Sequence, residues 1–404
     1  MKPVNTGEIT PKQQKAALLV VGLAVFTDMM IYGVVVPILP QYATSLGASP
    51  AQIGILFGSY GIALLLASPL FGLLSDRIGR KGPLLWGLLG LAATTLLFLA
   101  ADSFWQLVAA RALQGVAAAA TWTAGLALVA DVYPVAERGK AMGLALSGQA
   151  AGTLLGPAVG GWLYQLGGYA APFLFVAALT LTDAVLRIVL LRKVPDVTAS
   201  EPRQSRSMLR SRSLLLIFGI VILGAAIPAV LEPTLPLRLK AVFGLSPGGI
   251  GLLFMIPTAA YGLIAPLAGA WAARKGNLPV IRLGMVITAI ALPLNALGAS
   301  LWLQAATLAL LGIGMGTILS PSLPEMALAA DQNGSQSYGI VFSLYNTAYS
   351  AGMMTGPLLA GLLTNYFGIE IAYLAAGAII LAYLLLTVVR ASGSRGAGTE
   401  QQVR

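Results

Sequence analysis

The stretch GASPAQIGILF, Gly47–Phe57, returns as GLSPGGIGLLF, Gly244–Phe254, 197 residues further along the chain. Three more pairs follow in the same order. PLFGLLSDRIG from Pro69 matches PLAGAWAARKG from Pro266 at the same separation, while ALVAD ending at Asp131 matches ALAAD ending at Asp331, and GTLLGPAVGG from Gly152 matches GMMTGPLLAG from Gly352, the last two 200 residues apart. Four ordered matches that drift by only three residues describe one unit written twice.

The repeated unit is a membrane one. Of 404 residues 57% are hydrophobic and 9% charged, and the mean hydropathy is +0.85, beyond what a soluble domain of this length carries. A spanning helix needs about 20 apolar residues, so the chain has room for about a dozen. The apolar runs are long and lack the alternation of an outer-membrane barrel. Read between polar and Gly/Pro breaks, they predict helices over 16–40, 51–75, 82–101, 104–131, 140–165, 170–191, 214–240, 249–272, 278–298, 301–328, 337–365 and 369–389. The fold class expected is all-α membrane protein, with twelve transmembrane helices in two pseudo-symmetric six-helix bundles. Residues 1–191 form the first, 192–213, rich in charge and Ser, the linker, and 214–404 the second with a short tail. Such repeats place a substrate site near the bilayer midplane where the halves meet.

The formal charge of +10 follows topology and forms no stripe that would suit nucleic acid. Of 24 Lys and Arg, Arg238 and Lys240 fall in loops of one side and Arg111 inside a helix, leaving 21 on the other side. Positive-inside bias makes that side and both termini cytoplasmic. The first apolar run, from Ala16, continues into a span and shows no small-residue cleavage site, so the first helix is expected to act as its own insertion signal. There is no Cys and no His, which removes thiolate chemistry and the side chain that titrates near neutrality. An intramembrane enzyme is disfavoured for want of a nucleophile, metal ligands or an acid/base set. Proton coupling would have to use carboxylates, with protons as the only coupling ion and no cofactor or metal.

Inside the predicted helices stand Asp28, Arg111, Asp183, Glu232 and Glu325. A charge at the bilayer centre costs roughly 2.5–3.5 kcal/mol even on the lenient insertion scale, so these residues are functional candidates. Four of the five are acidic, which favours a cationic cargo. Glu232, before Pro233 and Pro236, and Glu325, after Pro321 and Pro324, stand where backbone bonding is expected to be interrupted. Aromatic faces suit an organic cation. Tyr32 lies one turn from Asp28, Phe254 and Tyr261 are spaced i, i+7, and Phe342, Tyr345, Asn346 and Tyr349 share a stripe.

GLLSDRIGRK, Gly72–Lys81, resembles the loop signature between the second and third helices of the major facilitator superfamily. RALQG, Arg111–Gly115, resembles the fourth-helix motif of its proton-coupled drug exporters, and GTLLGPAVGG, Gly152–Gly161, the fifth-helix motif of antiporters. DMMIYGVVVPILP from Asp28, LEPTLP from Leu231, LGGYAAPFL from Leu166 and LTDAV around Asp183 are similar to vesicular monoamine transporters and their bacterial relatives. Tyr60 departs from a Lys of that branch, and Leu319 and Asn346 depart from two of its Asp residues. The resemblance implies a multi-pass protein of a bacterial inner membrane, monomeric, exporting protonated amines in exchange for protons. A broad multidrug efflux pump is the alternative, and a transporter-fold sensor without net flux the third reading. It also implies amine-facing roles for Phe254, Tyr261, Phe342 and Tyr349, proton coupling through the buried charges, and a gate in which Asp76 and Arg77, within the Gly72, Asp76, Arg77, Gly79, Arg80 spacing, pair across the halves. Gly152, Gly156 and Pro157 would allow close approach and bending of the fifth helix.

Overall fold

The structure, a computed structural model, describes residues 9–194, 211–332 and 338–401; most of the expected linker, 195–210, lies outside them. The described residues form thirteen helices: α1 Pro11–Val34, α2 Leu39–Ser45, α3 Pro50–Ile78, α4 Lys81–Ala100, α5 Phe104–Val132, α6 Val135–Gly167, α7 Ala170–Leu191, α8 Arg212–Phe243, α9 Pro247–Lys275, α10 Asn277–Leu297, α11 Leu301–Gln332, α12 Tyr338–Phe367 and α13 Ile369–Gln401. The first expected helix divides in two. Pro37 offers no backbone N–H, so α1 ends at Val34 and the short α2 restarts after Ile38. Thr10 and Gln13 close a capping box at the start of α1.

Among the described residues ten helices are long and apolar enough to cross a membrane. The twelve expected spans are these together with α6 and α12, whose interiors are rich in Gly, Ala and Ser. Their small residues have a packing use. Along α6 a methyl group added at Gly152 would strike the carbonyl of Phe26 on α1, and one at Gly156 would strike Gly33. Along α12 one at Gly352 would strike the carbonyl of Ile222 on α8, and one at Gly356 Ala226. Backbone approach of this kind is how spanning helices associate where water supplies no drive. Gly152→Val should therefore destabilise the protein by about 1–3 kcal/mol, read as an earlier melt in detergent, whereas Gly72→Val, which meets open space, should not.

Prolines do not break the long helices. α8 runs through Pro233 and Pro236, and α11 through Pro321 and Pro324, contrary to the expected interruption. Each Pro removes one backbone donor, and neighbouring turns and packed helices carry the remainder.

The described residues gather into two compact units. One takes the chain up to Ala48, from Ile55 past α7, and Pro236–Met255; the other takes Ser49–Gly54, α8 up to Leu235, and the chain from Ile256 onward. In the first, α6 lies along α1 and α4 along α5; in the second, α10 packs on α11 and α13. The repeat is visible in the backbone. All positive-φ residues among those described are glycines, Gly47 and Gly244, Gly79 and Gly276, Gly168 and Gly368, three pairs at the separations found in the sequence. Only Gly holds such turns without strain, so the same corners are cut twice. Packing repeats as well. In the first unit Gly161 of α6 faces Pro247, and Gly251 faces Pro157; in the second Gly361 of α12 faces Pro50, and Gly54 faces Pro357.

Candidate functional site

Asp28 is 1% exposed in the middle of α1. The indole Nε1 of Trp122, on α5, donates to its Oδ2 at 2.8 Å, and Oδ1 has no hydrogen-bond partner. No cation among the described residues lies within ion-pair distance of it, although Arg187, Arg111 and Asp183 lie within electrostatic reach. The carboxylate is thus fixed by one oxygen and unpaired at the other. Trp122 was not singled out from the sequence. It is 94 residues from Asp28, and only the packing of α5 on α1 brings them together.

Arg111, wholly buried on α5, has no carboxylate partner among the described residues either. Its Nη1 donates to Gln114 Oε1 at 2.7 Å, while Nε and Nη2 are unpaired. The guanidinium instead lies over three rings, 4.3 Å from the centre of Tyr32 and 5.1 Å from those of Phe57 and Tyr60. Tyr32 and Tyr60 meet edge to face at 4.8 Å. Tyr60, the residue that departs from a Lys in the resemblance, here supplies a face to a cation where a second cation would repel it.

Asp183 is engaged. On α7 it forms a tight ion pair with Arg187, one turn on, both with fully buried side chains, and Arg187 Nη1 also donates to the carbonyl of Leu84 at 2.8 Å. Assigning Arg187 to the cytoplasmic charges was wrong: its spacing from Asp183 turns it inward, where the carboxylate compensates it. With it the four-to-one acid excess becomes four to two. Within the helices of the first unit two buried acids, Asp28 and Asp183, stand against two buried cations, Arg111 and Arg187, and a third buried cation, Arg80, sits at the α3–α4 connection.

In the second unit Glu232 is buried on α8, and Tyr349 of α12 lies within electrostatic reach of it and of Tyr261 on α9. Tyr345 is similarly placed toward Tyr261 and Tyr349, stacking on the latter at 6.5 Å, and its hydroxyl points at the Leu319 carbonyl at 3.5 Å. An acid and three phenols are thus collected from three helices. Phe342 is partly buried and Asn346 exposed, so the stripe on α12 divides; Phe254 is buried on α9.

The profile of the Major Facilitator Superfamily matches residues 21–232 and again 217–402. The chain belongs to the Major Facilitator Superfamily. It is 31% identical over 336 residues to the chromaffin granule amine transporter of Rattus norvegicus, covering 82% of this chain and 64% of that protein. It is 32% identical over 390 residues to a probable vesicular acetylcholine transporter-B of Danio rerio, covering 92% and 78%. Among solved structures it is similar in fold to a bacterial homolog of the human lysosomal transporter Spinster, with a TM-score of 0.80, 15% identity and coverage of 93% and 97%.

Within the superfamily's loop signature, Asp76 pairs with Arg80, one turn on, at 2.5 Å, and Arg77 is exposed. Arg80, 5% exposed, also donates to Ser75 at 2.9 Å and through Nε to Asp131, at the end of α5, at 2.8 Å. Gly79, at φ 91°, makes the corner that delivers it. The repeat places Gly276 and Asn277 where Gly79 and Arg80 stand, and Asn277 donates to Glu325 Oε2 at 3.0 Å. Because Asn277 opens α10, Glu325 stands level with the α9–α10 connection and not deep among the helices, as expected from its place in an apolar run.

Proposed function

We propose that this multi-pass membrane protein is a secondary transporter, not an enzyme, and that it exchanges protons for a protonated amine or related organic cation by alternating access. The observation that carries the reading is the unpaired Oδ1 of a wholly buried Asp28. A carboxylate held in this way gains most from a compact cation or a proton, and cannot serve both at full strength. Proton and amine therefore compete, and the competition couples them. Glu232, beside Tyr349, is the second acid of this scheme, while Arg111 modulates the first. Asp183 and Glu325 have partners of their own and act in coupling only through them. The names of the two relatives, an amine and an acetylcholine transporter, support a cationic cargo. The Lys and Arg pattern supports cytoplasmic ends.

The test is uptake of radiolabelled amines into proteoliposomes under an imposed pH gradient. Accumulation should require the gradient, and Glu232→Gln should bind amine yet fail to concentrate it, with uptake at least tenfold below wild type. Saturable binding without gradient-driven uptake in the wild type would leave a sensor; uptake of bulky lipophilic cations with no simple amine would select the multidrug pump.

A further inference from the structure

At the repeat separation of 197 residues, the α4–α5 and α10–α11 hairpins share their backbone geometry. α4 ends at Ala100 and α10 at Leu297, while α5 starts at Phe104 and α11 at Leu301. The paired helices also approach equally: a methyl group added at Gly87 would come within 2.9 Å of the Ala117 carbonyl, and one at Gly284 within 2.8 Å of the Gly314 carbonyl. What differs is one buried layer. Phe98, Leu107 and Ala110 fill it in the first hairpin, Asn295, Gln304 and Thr307 in the second, and all six are at most 1% exposed. On α5 the buried polar residues Arg111 and Gln114 stand one turn further along, where α11 has buried Leu308 and Leu311.

The polar layer is incompletely bonded. Asn295 Nδ2 donates to Thr307 Oγ1 at 3.0 Å, and the Thr307 hydroxyl donates back into its own helix, toward the carbonyls of Leu303 and Gln304 at 2.9 and 3.0 Å. Asn295 Oδ1 and both amide atoms of Gln304, Oε1 and Nε2, have no partner among the described residues. Gln304 and Thr307 share a face of α11, and Gln304 Oε1 reaches the end of α10: it and the Leu294 carbonyl lie 3.4 and 3.5 Å from where a methyl group on Gly298 would stand. The unpaired atoms are thus gathered at one corner. Turning an amide over exchanges a donor for an acceptor and leaves an atom unpaired all the same. Asn295 stands where the first hairpin has a whole ring, a loss of volume that Thr307 in place of an Ala offsets only in part. Between backbones equally close, the second layer has room that the first lacks.

A buried amide without partners costs more than its bonds return, and the usual remedy is an ordered water making about three hydrogen bonds to such groups. The chemistry selects water over an ion. No charged side chain belongs to the layer, and water can both donate, to Asn295 Oδ1 and Gln304 Oε1, and accept, from Gln304 Nε2. From this juxtaposition we infer that the α10–α11 corner is a solvent-binding site, in which bound water bridges Asn295 to Gln304 and completes the tie between the two helices. The α4–α5 corner makes the same tie with a dry apolar layer. The site does not depend on what the protein transports.

The test is radiolytic hydroxyl-radical footprinting of the purified protein, read by mass spectrometry, which oxidises buried side chains that lie beside bound water. Leu292, one turn before Asn295, and Leu308, one turn after Gln304, are at most 1% exposed, as is Leu107 of the dry layer. Both should be oxidised severalfold faster than Leu107. The triple variant Asn295→Phe, Gln304→Leu, Thr307→Ala, which copies the first layer into the second, should bring them down to the Leu107 rate. If that variant does not fold, Gln304→Leu alone, which removes two of the three unpaired atoms, should still lower both rates below wild type. Oxidation of Leu292 and Leu308 no faster than Leu107 in the wild type, or fast oxidation that persists undiminished in the substituted protein, overturns the inference. Neither measurement involves an amine, so failure here leaves the transport reading as it stands.

Discussion

Asp28→Asn should abolish saturable amine binding while leaving a folded protein. The substitution is nearly isosteric, and the amide oxygen still accepts from Trp122 Nε1, the contact that holds this part of α1 to α5. Lost is the charge on the oxygen to which no group among the described residues bonds. Removing one partner of a desolvated, hydrogen-bonded charge pair costs about 2–5 kcal/mol, or roughly 30- to 5,000-fold in Kd. Asp28→Glu, which keeps the charge on a longer arm, should retain part of the affinity. Scintillation-proximity binding with a radiolabelled amine measures both. An Asp28→Asn protein that binds with wild-type Kd would show that the ammonium goes elsewhere, and the competition of amine with protons would lose its seat.

The repeat made the fold legible. Positions that later prove to be left-handed glycines, Gly47 and Gly244 or Gly79 and Gly276, are already aligned in the quoted stretches, because a tight turn leaves its residue type in the sequence. Asp28 was legible for a similar reason: a carboxylate in an apolar run has no bland explanation. What failed to show were relations between helices. Trp122 and the ring cage of Arg111 join side chains on α1, α3 and α5 whose sequence spacing carries no signal. Arg187 had a signal that was there to be used, since Asp183 and Arg187 are four apart on one helix; its nearness to the end of the apolar run assigned it to the cytoplasmic surface instead. The prolines misled in the other direction. They are real departures from helical bonding, yet α8 and α11 absorb them because packed neighbours hold the turns on either side.

The Asp183–Arg187 pair carries the second large effect, on stability first and binding second. Both side chains are fully buried, so Asp183→Asn leaves a guanidinium with the amide oxygen and the Leu84 carbonyl to bond and no counter-charge. Stranding a buried charge costs about 3–5 kcal/mol, whereas replacing both members by apolar residues of similar volume is often neutral or stabilising. The single variant should therefore melt well below the wild type in detergent, and the double variant Asp183→Leu, Arg187→Leu should recover most of the loss. Binding separates charge from packing. Arg187 lies within electrostatic reach of Asp28; with Asp183 neutral its field falls on the Asp28 carboxylate uncompensated and competes with the ammonium. Asp183→Asn should weaken amine binding about tenfold although Asp183 does not meet the amine, and the double variant, which removes both charges, should bind close to the wild type. A double variant as unstable and as weak in binding as the single one would mean that the pair matters for its shape; a single variant as stable as the wild type would mean that Arg187 finds water or another acceptor, and that its charge is not stored in the bundle at all.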